Sequence, residues 1–248
     1  MIQVKHLLSA LLLLATVSIQ AQVGIGTGTP AASAQLDVTS TTKGFLPPRM
    51  TSTERDAIAS PAEGLTIYNT TIKSVQVYNG TAWFSTVHFI GESYGGGIVF
   101  YVYDNGQHGL IAATADQNGG TAIQWYNGVD KYTGATGDGL NAGDMNTALI
   151  VATQMADNQT GNFAAKVCAD YSVTVGGVTY GDWYLPSKHE LNLLYLKESD
   201  VGGISSSGYW SSSEFGFSGA WYQEFFYIGY QGFISKNLTN RVRAVRAF

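Results

Sequence analysis

Short apolar–polar alternations separated by glycine-rich breaks run along most of this chain, and helical periods are few. Leu65-Thr-Ile-Tyr-Asn69 and Val75-Gln-Val-Tyr-Asn79 alternate with period two across a five-residue link, which predicts a hairpin. Asn79-Gly80 signals the next turn, and Thr81-Ala-Trp83 closes the unit. Gly95-Gly-Gly-Ile-Val-Phe-Tyr-Val-Tyr103, Gly109-Leu-Ile-Ala-Ala113 and Ala122-Ile-Gln-Trp-Tyr126 predict further strands. Ser172-Val-Thr-Val-Gly-Gly-Val-Thr-Tyr180 predicts a second hairpin turning at Gly176-Gly177. Helices are expected elsewhere. Thr51-Ser-Thr-Glu54 is a capping box that opens a short helix through Ile58, stopped by Pro61. Residues 144–157 read as helical, with Leu149, Ile150 and Val151 apolar. Ser187-Lys-His-Glu190 is a second capping box, and its helix puts Leu191, Leu194 and Tyr195 on one face. Many short strands with a few helices predict an α+β fold.

The first residues carry a different pattern. Lys5 precedes an apolar run from Leu7 to Val17, followed by small and polar residues up to Ala21. This is the form of a secretory signal with cleavage after Ala21, although Ile19 is a less usual residue three places before the cut. The run is short of the ~20 residues that a spanning helix needs, and no cysteine follows it as a lipid anchor would require. A secreted or outer-cell-surface location is expected, with no membrane span.

Composition sharpens the picture. Charged residues make up 12% of the 248 and aromatics another 12%, with 30 glycines and 15 tyrosines; a globular chain has about 25% charged residues. The net charge is −5, so no basic field exists to hold nucleic acid. Residues 22–89 balance 4 Lys/Arg against 4 Asp/Glu, whereas residues 90–248 set 8 against 14, a net of −6. This break places a boundary near Phe89-Ile90-Gly91. The first region is too small to bury a large core alone, which points to self-association.

Two resemblances follow from particular motifs. Val23-Gly-Ile-Gly, Leu36-Asp-Val, Thr42-Lys-Gly-Phe-Leu-Pro-Pro-Arg-Met-Thr51, Glu54-Arg-Asp-Ala-Ile-Ala-Ser-Pro61 and Gly64-Leu-Thr-Ile-Tyr-Asn69 resemble a segment of exported Bacteroidetes proteins and phage-tail-fibre-like proteins. The resemblance implies a connector or trimerising stalk over residues 22–89, and hence a homo-oligomer with a trimer favoured. Gly181-Asp-Trp-Tyr-Leu-Pro-Ser-Lys-His-Glu-Leu191, Gly208-Tyr-Trp-Ser-Ser-Ser-Glu214, Ala220-Trp221 and Arg241-Val-Arg-Ala-Val-Arg-Ala-Phe248 resemble the C-terminal domain of Legionella collagen-like adhesins. That resemblance implies a C-type-lectin-like fold for residues 90–248, akin to formylglycine-generating enzyme, with two helices around short antiparallel sheets. It also implies adhesion to a glycan or a surface protein. Sulfated glycans need a basic surface, so the −6 of this region favours a neutral glycan or a protein. Lys236, Arg241, Arg243 and Arg246 are expected on solvated strand faces, with a local basic patch as the alternative.

Residues 209–233 hold eleven aromatic side chains. Rings of this kind either fill a core poor in aliphatics or stack on the apolar faces of sugars. The candidate ligand-binding residues are Trp210, Trp221 and Tyr222, with Glu214, Gln223 and Asn237 to set orientation. Calcium is the candidate cofactor, through Asp138, Asn141 and Asp144 in a glycine-rich loop, because hard oxygen ligands suit it; turn formation and helix capping by Asp144 are the simpler account. Gly91-Glu-Ser93-Tyr-Gly95 matches a nucleophile-elbow pattern, but that mechanism needs a helix after the serine and a strand is expected there. Cys168 is the only cysteine and reads as a small buried hydrophobe on a helix. The expected function is non-catalytic binding by a lectin-like head on a stalk, with an appendage subunit as the alternative and a Ser93 hydrolase a distant third.

Overall fold

A computed structural model describes residues 22–157 and 161–248. The leader pattern of residues 1–21 lies outside the described residues. Helices and many short sheets give an α+β architecture.

The leading region is built from small, open pieces. β1 (Val23–Ile25) pairs in parallel with β2 (Leu36–Val38). Its second sheet takes the order β3 (Arg49–Met50), β4 (Thr66–Asn69), β5 (Ser74–Tyr78) and β6 (Trp83–Ser85). β4 and β5 form the predicted hairpin, with Ile67 opposite Gln76 and Asn69 opposite Ser74. Helix α1 (Ser52–Asp56) starts at the predicted box, with the Thr51 side chain accepting from the Glu54 N–H and the Glu54 carboxylate accepting from the Thr51 N–H.

Within residues 22–90 the buried residues are Ile67, Asn69, Ser74 and Gln76. Three of the four are polar, so hydrogen bonds rather than apolar packing organise this interior. Asn69 Nδ2 donates to Gln76 Oε1 at 2.9 Å and Arg55 Nη1 donates to the same oxygen at 2.7 Å. Gln76 Nε2 donates to Ser85 Oγ at 3.1 Å. These bonds tie α1 to the hairpin and fix the strand register. Val23, Ile25, Leu36, Val38, Phe45 and Leu46 all stay exposed.

The rest of the chain forms a dense head. β7 (Ser93–Tyr94), β8 (Gly97–Tyr103) and β9 (His108–Ala113) lie side by side, and β17 (Val245–Ala247) joins them beyond β9. β13 (Gly208–Phe215), β14 (Gly219–Glu224) and β15 (Gln231–Ser235) form a second antiparallel sheet. The pairs β10 (Ile123–Gln124) with β16 (Thr239–Asn240), and β11 (Val173–Val175) with β12 (Val178–Tyr180), complete the strands. The strand expected over residues 122–126 is thus only two residues long. The predicted helices are α2 (Ala142–Met155) and α4 (Lys188–Tyr195). Short helices α3 (Ala164–Ala169) and α5 (Glu198–Val201) add to the two that the lectin-like reading expected.

Trp125, Phe163, Trp183, Trp210 and Val242 pack one core; Phe100, Tyr184, Leu191, Tyr209 and Phe225 pack the other. Cys168 is buried on α3, and burial pushes its thiol far above the ordinary range. Ser93 sits in the edge strand β7 and leads directly into β8, without the helix a nucleophile elbow requires.

The basic residues of the C-terminal segment depart from the expectation of solvated strand faces at two of the four positions. Lys236 and Arg243 are fully buried, Lys236 against Glu214 at 2.7 Å and Arg243 against Asp116 at 2.7 Å. Arg241 pairs with Asp116 at 3.2 Å and Arg246 with Asp182 at 2.7 Å. Each cation has a carboxylate partner, so the four form no unpaired basic patch, and Lys236 and Arg243 lie in the interior and not on a solvated strand face.

Candidate functional site: an aromatic face on the second sheet of the head

The face begins with the alternation of β14. Ala220 points into the core while Trp221, one residue on, lies on the outer side of the sheet. Register places Trp221 opposite Phe233 of β15, and Phe215 at the end of β13 stacks on Phe233 with centroids 3.7 Å apart. Trp221 meets Phe215 and Phe233 edge-on, at 5.6 and 5.7 Å. Phe215 is 43% and Phe233 52% exposed. Edge-to-face and stacked pairs lock such rings relative to one another.

The hairpin between β13 and β14 carries the face further. Phe217 at its tip is 49% exposed and packs against Tyr132, which is 69% exposed, at 5.3 Å. Tyr132 arrives from a loop 85 residues earlier in the chain. Lys188 borders the other side, with its ammonium 4.5 Å from the Trp221 ring centre and 3.0 Å from Asp138. Beyond Lys188 the same side of the sheet is closed by α4: Gln223 Nε2 donates to Asn192 Oδ1 at 2.9 Å, and Gln231 Nε2 donates to the Lys188 carbonyl at 2.8 Å.

Of the expected ligand-binding residues, Trp221 alone lies on this face. Trp210 is fully buried and donates its indole N–H to the Ile123 carbonyl at 2.8 Å. Glu214 is buried in the pair with Lys236, and Gln223 is buried under α4. These three are interior residues whose polar atoms are spent within the protein. Tyr222 lies on the opposite side of β14, half-buried, with its hydroxyl 3.3 Å from Glu224. Asn237 is exposed in the turn after β15, and its carbonyl accepts from Gln124. Sequence reasoning missed Phe215, Phe217, Phe233 and Tyr132 as site residues. The first three were in view as members of the aromatic run, whereas Tyr132 carried no signal.

The calcium candidates have structural roles in the loop before α2 and in its first turn. Among the described residues no group of three or more His, Cys, Asp or Glu is placed to hold a metal ion. Asp138 already accepts from the His189 N–H at 2.8 Å and from Lys188. Partial burial works against its ionised form, but the bonds from Lys188 and from the His189 and Gly139 amides outweigh it and hold the carboxyl below its ordinary range. Asn141 adopts a left-handed conformation, φ 62°, at the N-cap of α2 without a side-chain capping bond, and Asp144 lies in the first turn. The loop serves helix initiation.

Residues 24–108 match the family model of the phage tail like trimerisation region. The match fits a tail-fibre-like stalk, supports a homo-oligomer and suggests a structural or surface-appendage role. It runs past the compositional boundary near residue 89 and through β8. No curated protein matches the chain. Among the described residues no helix is long and apolar enough to cross a membrane.

Proposed function

We propose that the protein is an exported, non-catalytic binding protein in which a homo-oligomeric stalk, with a trimer favoured, presents several copies of the aromatic face to a glycan or a surface protein. The observation that carries this reading is the cluster of Phe215, Trp221, Phe233, Phe217 and Tyr132, in which mutually packed rings present their outer surfaces to solvent. Exposed aromatic clusters of this kind mark interaction sites. The face is an open platform on a sheet, which suits a polymer or a cell surface better than a small enclosed molecule. The head is net acidic and its C-terminal cations are paired, which favours neutral ligands over sulfated ones. Export rests on the leader pattern before residue 22, and the adhesin-like motifs of the head point the same way. Weak single sites gain from multiplicity, with avidity rising by ~10²–10⁴.

The test is a glycan array probed with the assembled protein, alongside its mass in solution. Binding to neutral glycans by an oligomer, lowered at least about tenfold by Trp221→Ala, is expected. A blank array together with a monomeric mass overturns the reading. A second reading, a subunit of a surface appendage, is favoured by a separate feature. The loop between β14 and β15 exposes Phe226, Tyr227 and Ile228 in a row, the last two at 77% and 75%. A blank array with a co-purifying protein lost on Tyr227→Ser would favour it.

A further inference from the structure

The buried pair Lys236–Glu214 hydrogen-bonds the backbone at Phe217 and on both sides of Tyr132, the two residues whose rings are exposed. Lys236 Nζ has three protons and three acceptors: Glu214 Oε1 at 2.7 Å, the Lys131 carbonyl at 2.8 Å and the Phe217 carbonyl at 2.8 Å. The Trp125 ring covers it at 4.7 Å. Glu214 in turn accepts from the Thr133 N–H at 2.9 and 3.1 Å and from the Gly134 N–H at 3.1 Å. The backbone on both sides of Tyr132 is therefore clamped, by Lys236 through Lys131 and by Glu214 through Thr133. The backbone at Phe217 is held by the same ammonium. Both side chains of the pair are almost wholly inaccessible, at 0% and 2%.

A buried ion pair is a poor means of gaining stability, because desolvation offsets most of the attraction and an apolar replacement is often neutral. This pair joins three chain segments: the loop of residues 131–134, the tip of the β13–β14 hairpin and the end of β15. The last two also meet through the sheet and the Lys236 N–H bond to the Ser218 carbonyl, and the loop reaches β13 again where the Glu214 N–H donates to the Ala135 carbonyl, but the pair alone bonds the backbone on both sides of Tyr132 to the Phe217 carbonyl. The geometry points to Lys236 and Glu214 as positioning residues that hold Tyr132 and Phe217 as a preformed second platform beside Trp221 and Phe233. Neither residue touches a ligand. The inference rests on the aromatic face being the binding surface; the clamp itself does not.

The decisive variant is the double substitution Lys236→Met with Glu214→Gln, which removes both charges at once. Lys236→Met alone strands a buried carboxylate and is kept as the comparison for misfolding. Hydrogen exchange on the intact protein, without ligand, is expected to speed up in residues 131–135 and 216–219 of the double variant, while β8 and β9 stay protected. Affinity for the neutral glycan found on the array is expected to fall about tenfold, since two rings must then be ordered on binding, with unchanged circular dichroism. Unchanged exchange in both segments overturns the clamp, and a loosened loop with unchanged affinity overturns its role in binding. If the wild-type protein binds no glycan yet the loop loosens in the variant, the clamp stands and the reading of the aromatic face as a glycan site is what fails.

Discussion

At the scale of the residue, the molecule turns on where single side chains point and what they neutralise. Trp210 and Trp221 share a sequence context of tyrosines, serines and glycines, yet one is sealed in the core and the other borders solvent. The difference arises from β13, which is covered on both sides from Gly208 to Glu214 and bulges between Trp210 and Glu214, so its side chains do not alternate between core and solvent. The density of rings in the sequence therefore marked the right stretch of chain but could not separate Trp221 from Trp210. The ion pairs were equally hidden, because Arg243 and Asp116 stand 127 positions apart and no local pattern links them. Arg243 donates Nε to Asp116 at 2.8 Å and Nη1 to the Ala113 carbonyl at 2.7 Å, and Asp116 also accepts from Tyr209 at 2.9 Å. Arg243→Met leaves a buried carboxylate without its main counter-charge. A loss of about 3–5 kcal/mol is expected in chemical denaturation, and a loss under 1 kcal/mol would show that water reaches Asp116. Acid sensitivity is expected at the pair of Arg246 and Asp182. The bidentate bond from Arg246, set against partial burial, holds the Asp182 carboxyl below its ordinary range. A depressed carboxyl contributes stability above its unfolded value that is lost as pH falls through the folded one. Melting temperatures taken downward from pH 5 should thus decline less steeply in Asp182→Asn than in the wild-type protein.

Elements were legible where their signals are local. Both capping boxes form as read, and the hairpins at residues 66–78 and 173–180 turn where glycine, asparagine and spacing placed them. A cap or a turn is decided by four or five neighbouring residues, so the sequence alone suffices. The same locality explains what failed: the partner of each strand, and the way loop 131–134 docks on β13, depend on residues far along the chain. The second capping box illustrates the join between the two scales. Glu190 accepts from the Ser187 N–H at 2.8 Å within its own box, and also from the Asn141 N–H at 2.7 Å and the Gly143 N–H at 3.2 Å at the start of α2. One carboxylate thus terminates two helices. Gly143 is required there for space, since a Cβ would sit 2.8 Å from both the Leu185 carbonyl and the Ser187 nitrogen, besides meeting Glu190. Gly143→Ala should destabilise by about 1–3 kcal/mol, the usual cost of overpacking, although alanine is the better helix former. Thermal melting decides the sign, and a stabilised variant would mean that α2 shifts freely against α4.

The whole molecule pairs a dense head with a leading region that exposes its apolar residues. Chain 22–90 buries one aliphatic side chain, Ile67, while Val23, Ile25, Leu36 and Val38 line an isolated parallel pair of three-residue strands with no cover. Such a pair has marginal stability in water. It becomes sensible when copies of the chain cover one another, because burying a side chain of this kind contributes about 1.5–3 kcal/mol. The agreement between this geometry and the trimerisation-region match over residues 24–108 makes self-association the property on which multivalent presentation depends. Ile25→Asp with Leu36→Asp places two charges where association would bury them, and neither residue contributes to the buried interior of the head. Light scattering should give an oligomeric mass for the wild-type protein and a monomeric mass for the double variant. The head of that variant should keep its Trp221 environment and its single-site affinity while losing avidity on a multivalent surface. An unchanged mass would place the assembly contacts elsewhere, and a wild-type protein that is itself monomeric would leave the exposed strands without the partner that their composition requires.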